Sequence, residues 1–181
     1  MNLQQLIAAT LTELRRPDDD ASLEAFGPRI TGYINEGIID LCMSYQPTTM
    51  QEIVISDGRI DLDALSKPCV KALRLTIGGT DVRFCYALAA NTLITDAVNE
   101  GTGVLYYRYG IPALLHAEDV PELPDELTQL LVCYAAAREQ MSGGTAAASG
   151  AKLGLGLYES MKRRICSDLD GARVRNIFNR Y

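Results

Sequence analysis

The chain has 181 residues, 48% of them hydrophobic and 22% charged, with a formal net charge of −6 and one histidine. That length suits one domain with a sizeable core, and the composition excludes a disordered chain. No apolar run approaches the roughly 18 residues of a membrane span, and an acidic surface repels nucleic acid, so neither a transmembrane role nor general DNA binding is expected.

From Asn2 to Arg15, Leu3, Leu6, Ile7, Leu11 and Leu14 recur at helical spacing. Arg15 and Arg16 suit the negative end of that helix, and Pro17 cannot continue it. Met1 to Gln5 lacks the basic start of a signal peptide, which predicts a protein made in the cytoplasm. A second helical stripe holds Phe26, Ile30, Tyr33, Ile34, Ile38, Leu41 and Tyr45, with Asn35, Glu36 and Asp40 off it. Pro28 fits only a first helical turn, so this helix is predicted to begin near Gly27.

The pattern then turns to β-formers. "QEIVIS" and "RIDL" flank Asp57-Gly58, a hairpin signal, and "CVKALRLTI" and "TDVRFCY" flank Gly78-Gly79, a second one. "GVLYYRYG" alternates Val104, Tyr106 and Arg108 with Leu105, Tyr107 and Tyr109, so the middle of the chain reads as one small antiparallel sheet. After the loop "IPALLHAEDVPELP", Pro124, Asp125 and Glu126 open a helix with Leu127, Leu130, Leu131, Tyr134 and Met141 on one stripe. A last helix is expected from about Ala147 to Cys166, with Leu153, Leu157, Tyr158, Met161 and Ile165 inward and Lys162, Arg163 and Arg164 at its end.

"SGGTAAASGAKLGLG", Ser142 to Gly156, has the composition of a phosphate loop without its working order. Such a loop needs lysine directly after its second glycine and a hydroxyl directly after the lysine, to reach phosphate and Mg²⁺. Here Ala151 separates Gly150 from Lys152, Leu153 stands in the hydroxyl position, and a helix rather than a strand precedes the stretch. It reads as a helix stop followed by a small-residue face that packs closely on a neighbour.

Other chemistry is equally weakly supported. The cysteines at 42, 69, 85, 133 and 166 are odd in number and lack metal-ligand spacing; Cys42 and Cys133, in apolar helical settings, read as small buried hydrophobes. His116 stands alone, and no serine or cysteine lies in a nucleophile motif. The carboxylates Glu118, Asp119, Glu122, Asp125 and Glu126 suit a capped, solvated helix start better than a metal site. Tyr106, Tyr107 and Tyr109 suit an amphipathic strand better than a base-stacking platform, because Arg108 is the one basic residue among them. The reading is non-enzymatic, with no catalytic residue, cofactor or metal.

The sequence of parts carries a resemblance. "RITGYINEGIIDL", then "IVISDGRIDLDALSKPCVKALRLTIGGTDV", then "GVLYYRYGIPALLHAEDVPELPDELTQLLVCYAAARE" resembles the head–tail adaptor (head completion, or connector) proteins of tailed bacteriophages, including the tail-tubular adaptors of short-tailed phages. Gly37 stands where that family's "YINE" helix has another small residue, and "DALSKP" stands for its shorter pre-strand turn.

The resemblance implies a mainly α protein: a helical bundle with a small antiparallel β-region and an extended C-terminal tail. The expected organisation is one adaptor domain over 1–166 with a β-insert at about 51–110, then a docking tail over 167–181. It further implies a virion structural protein of the neck, made in the host cytoplasm. Sister subunits would form a ring, typically of twelve copies, beneath the portal protein and above a downstream tail or stopper protein. Genomic DNA would pass the lumen without specific binding, and no membrane is involved. In the tail, Arg173, Arg175 and Arg180 would supply charge, and Ile177, Phe178 and Tyr181 would anchor on the portal. From Met161 to Tyr181, Lys162, Arg163, Arg164, Arg173, Arg175 and Arg180 outnumber Asp168 and Asp170, while the rest of the chain is strongly acidic. Carboxylates on a channel wall would repel the genome and keep it moving. The reading from another class is a small bacterial α-helical binding or regulatory module.

Overall fold

The computed structural model describes residues 1–87, 91–142 and 145–178, with side chains described over 150–169 of the last segment. Two compact units emerge: Met1–Tyr45 with Ile111–Tyr181, and Gln46–Gly110.

The first unit holds the helices α1 (Leu3–Glu13), α2 (Asp20–Tyr45), α3 (Asp125–Met141) and α4 (Thr145–Phe178). α1 opens with a capping box, in which Asn2 and Gln5 satisfy each other's backbone N–H. Its end is closed by Arg15 in the left-handed region (φ 56°), with the Arg16 N–H donating to the Leu11 carbonyl. α2 begins at Asp20, well before the expected Gly27, and carries Pro28 inside it. The Asp19 carboxylate accepts from the Ser22 N–H at 2.8 Å, and this bond holds its pKa below the usual carboxylate range. The cap therefore fixes the start, and Pro28 removes one interior backbone bond without ending the helix. Leu3, Leu6, Leu11, Ile30, Ile34, Ile38, Leu41, Leu127, Leu130, Leu131 and Tyr158 form the core of this unit.

The second unit contains strands β1 (Thr48–Ile55), β2 (Arg59–Asp61), β3 (Cys69–Ile77), β4 (Thr80–Val82), β5 (Cys85–Tyr86), β6 (Thr92–Ile94) and β7 (Gly101–Tyr109). They form two sheets, ordered β1-β7-β3-β4 and β2-β6-β5, antiparallel throughout. The Asp57-Gly58 turn forms, with both residues at positive φ and Ser56 and Arg59 exchanging backbone bonds. The chain then changes sheets, β1 pairing with β7 and β2 with β6. Gly58 lies against the Thr95 carbonyl, which an added Cβ would meet at 2.7 Å. Ile53, Ile55, Ile60, Leu62, Leu75, Leu93, Leu105 and Tyr107 fill the core of this unit.

The expectation of a mainly α bundle with one small sheet and an extended tail is therefore corrected. The protein is mixed α/β, 47% helical and 24% strand, with two antiparallel sheets. The return strand after Gly78-Gly79 is only three residues long, and Arg83-Phe84 carry the chain into the second sheet, a switch that alternation alone does not reveal. The last helix runs through Phe178 instead of stopping at Cys166. Gly171 lies inside it, at an intrinsic cost of about 1 kcal/mol that a long helix tolerates.

Candidate assembly surfaces

The "YINEG" stretch of α2 is a set of clamps on the segment that returns after the β unit. The Asn35 side chain bonds Leu114 twice, donating to its carbonyl at 3.0 Å and accepting from its N–H at 2.8 Å. Glu36 accepts from Arg138 of α3 at 2.9 Å, and the Arg138 guanidinium lies 5.6 Å from the Tyr33 ring centre. Gly37 lets α3 approach, since a Cβ there would lie 3.1 Å from both Leu131 and Tyr134 side chains. Gly37 is thus a packing requirement.

Glu139 joins α3 to α2 and to the link between α1 and α2. Its side chain is only 2% exposed, and Oε1 accepts from Arg16 at 3.1 Å and from Arg29 at 2.8 Å. Both guanidinium groups also flank the Phe26 ring, Arg16 at 3.8 Å from its centre. Arg16, expected to serve the helix end, instead reaches across to α3.

α4 is seated on α2 through Asp40. The Asp40 carboxylate accepts from the Tyr158 hydroxyl at 2.5 Å and from Lys162 Nζ at 2.7 Å, and Lys162 also donates to Glu159 at 2.8 Å. Burial, then the bond to Asp40, pushes the Tyr158 hydroxyl far above an ordinary phenol. Burial pulls Lys162 down, but Asp40 and Glu159 together outweigh it and leave its pKa raised. Lys162, expected among the basic residues of the helix end, is buried. The small-residue face packs closely: Ala151 is fully buried, and a Cβ on Gly154 would meet the Ala137 Cβ at 3.2 Å. Residues 145–156 are helical, which is not the backbone of a phosphate loop.

The segment between the β unit and α3 is pinned at several points. Asp119 accepts from the Leu115 and His116 N–H groups, both at 2.8 Å, and these bonds lower its pKa. The Leu3 and Gln4 N–H groups donate to the Asp119 and Ala117 carbonyls, and Asn2 donates to Glu118. Among the described residues, no group of three or more His, Cys, Asp or Glu side chains is placed to hold a metal ion. Cys42 and Cys133 are half-buried, not buried as expected, Cys42 against the helical core, and desolvation raises both thiols. Of the β7 tyrosines, Tyr107 is buried, while Tyr106 and Tyr109 face Arg74 and Lys67.

Of the expected docking residues, Arg173, Arg175, Ile177 and Phe178 fall in the final turns of α4. Arg180 and Tyr181 lie outside the described residues. Asn35, Gly37, Glu139 and Asp40, which hold the Leu114 segment, α3 and α4 in place, carried no chemical motif in the sequence; their signal was a polar or small residue inside an apolar helical run.

Buried polar groups here tie the elements of the helical unit together. Residues 1–177 match the family model described as SU10 adaptor protein, and the chain belongs to that family of phage head–tail adaptors. Comparison with curated proteins finds no match. Membership makes the protein a virion-associated structural component that contacts other head or tail proteins.

Proposed function

We propose that the protein forms a ring in the phage neck, joining the portal vertex to the tail and leaving a lumen for DNA. The observation that carries this reading is the adaptor family match over nearly the whole chain, 1–177. Two features of the chain support it. The acidic body suits a lumen that must not hold the genome's phosphates. The helix α4 extends through the basic segment, so that Arg173, Arg175, Ile177 and Phe178 share a preformed helix, with Arg180 and Tyr181 following. A helix loses less conformational entropy on docking than a disordered tail. In this reading the portal presents an acidic, partly apolar groove to these residues. Sister subunits, typically twelve, complete the ring, and a tail or stopper protein binds below.

Negative-stain imaging of the full chain mixed with the portal of its own phage tests the proposal. Annular particles with a central hole are expected beneath the portal. Replacement of Arg173 and Arg175 by glutamate should weaken portal capture without altering the helical content. Particles that never exceed a small, holeless oligomer would contradict the ring.

A further inference from the structure

Among the described residues of the helical unit, Ile39 and Met43 of α2 form one exposed apolar pair, and two further apolar faces carry opposite charge. One is the pinned segment before α3, where Leu115 is 75% and Val120 62% exposed. Glu118, Glu122, Asp125 and Glu126, all exposed, neighbour them along the chain. The other is the outer side of α4, opposite the seat on Asp40. There Leu153 is 77% and Leu157 57% exposed, one turn apart. Exposed Lys152, Arg163 and Arg164 flank this pair, Gly156 leaves room beside it, and Glu159 is tied to Lys162. Asp168 is the exposed carboxylate further along.

The two faces lie on different sides of the unit. The acidic segment is bonded to the N-terminus of α1, and α1 packs on α2 and α3. α4 also packs on α2 and α3, and among the described residues α1 and α4 do not touch. The α2–α3 pair therefore separates an acidic apolar face from a basic apolar one.

We infer that the acidic segment around Leu115 and Val120 of one copy docks on the outer face of α4 around Leu153 and Leu157 of the next. This rests on the ring reading above and names its subunit contact. Two different faces on separate sides of one body make a head-to-tail contact, the type that closes into rings. Pairing like faces across a two-fold axis would set acid against acid or base against base, which disfavours a closed dimer. The four apolar side chains form the centre of the contact, and the opposite charges form its polar rim. The acidic segment is already fixed by Asn35, Asp119 and the α1 backbone, so little order is lost on docking.

Charge reversal in the full-length protein tests the contact. One variant carries Glu118→Lys and Glu122→Lys; the other carries Arg163→Glu and Arg164→Glu. All four side chains are exposed, and circular dichroism checks that each variant keeps its helices. In native mass spectrometry with the portal, each variant alone should lose ring at least about tenfold, because the first leaves its segment with no net charge to attract α4 and the second turns the α4 face acidic against an acidic segment. Mixed in equal amounts, the two variants should alternate, the intact acidic segment meeting the intact basic face and the two reversed faces meeting each other, and recover rings with both chains in equal number. Rings formed by either variant alone as well as by wild type overturn this contact and leave the ring reading standing. Loss in both variants without recovery in the mixture overturns it as well. Wild-type protein that forms no ring at all removes the ring reading and this contact together.

Discussion

The β unit is one continuous stretch, Gln46–Gly110, in which β3 and β4 meet across a tight turn and β7 returns to pair with β1 and β3; the helical unit is assembled from Met1–Tyr45 and Ile111–Tyr181, which nothing local brings together. Their polar interactions differ accordingly. In the β unit the described ion pair, Arg74–Asp81, is exposed on both sides. In the helical unit, a buried Glu139 holds Arg16 and Arg29, and a buried Lys162 holds Asp40 and Glu159. Both sets join residues from the two ends of the unit, across separations of more than a hundred positions for Glu139 and Asp40. Exposed pairs contribute little, whereas a buried pair penalises every arrangement that leaves one partner alone. The helical unit thus takes its register from buried charge, and the β unit from backbone ladders and the turns between them.

The sharpest way to break this contrast is to strand the charge. Replacing Arg16 and Arg29 together by methionine leaves Glu139 buried without a cation, and chemical denaturation should show a loss of about 3–5 kcal/mol. Glu139→Gln, which removes the charge and leaves half-exposed arginines, should lose only about 1–2 kcal/mol. An equal loss in the two would show that packing, not charge, joins the helices.

Next in size is a turn. Gly58→Ala places a Cβ 2.7 Å from the Thr95 carbonyl at a positive φ, for which about 2–3 kcal/mol is expected. Hydrogen exchange should show the damage in 46–110 and leave α1–α4 protected, because the turn serves its own unit. A smaller effect, about 1–2 kcal/mol, is expected for Asn35→Ala, which strips two bonds from Leu114. It should raise exchange at Leu114 to Asp119 before that of the helix cores.

The smallest effect is one of pH. Lys162 and Tyr158 both titrate higher in the fold than their ordinary 10.5 and 10.0. Above about pH 10 the folded state therefore holds protons that the unfolded chain releases, and stability falls as pH rises. Tyr158→Phe removes one of the two groups and should flatten that alkaline decline, followed by the melting temperature between pH 9 and 11.

The sequence displayed what depends on near neighbours. α1 and α3 were legible from apolar spacing, α3 also from Pro124 at its start, and the Asp57-Gly58 and Gly78-Gly79 turns from their glycines. It concealed what depends on distant partners. Asp19 outranks Pro28 as a start signal only because its cap forms, and β6 is three residues whose partners, β2 and β5, precede it. Of the assembly surfaces, Leu153 and Leu157 were read as core because they share the helical period with Tyr158; which side of α4 is covered was decided by Asp40, far away in α2. The C-terminal residues proposed to dock were visible as charge and aromatics, and the helix that carries the first four was not.

The central claim is assembly on the portal, and the mass of the saturated complex addresses it most directly. Native mass spectrometry of portal rings exposed to excess protein should show one added species, a complete set of 19.8 kDa chains, with few partly filled rings. A ladder of independently bound single chains, or portal rings that gain no mass, would contradict the account.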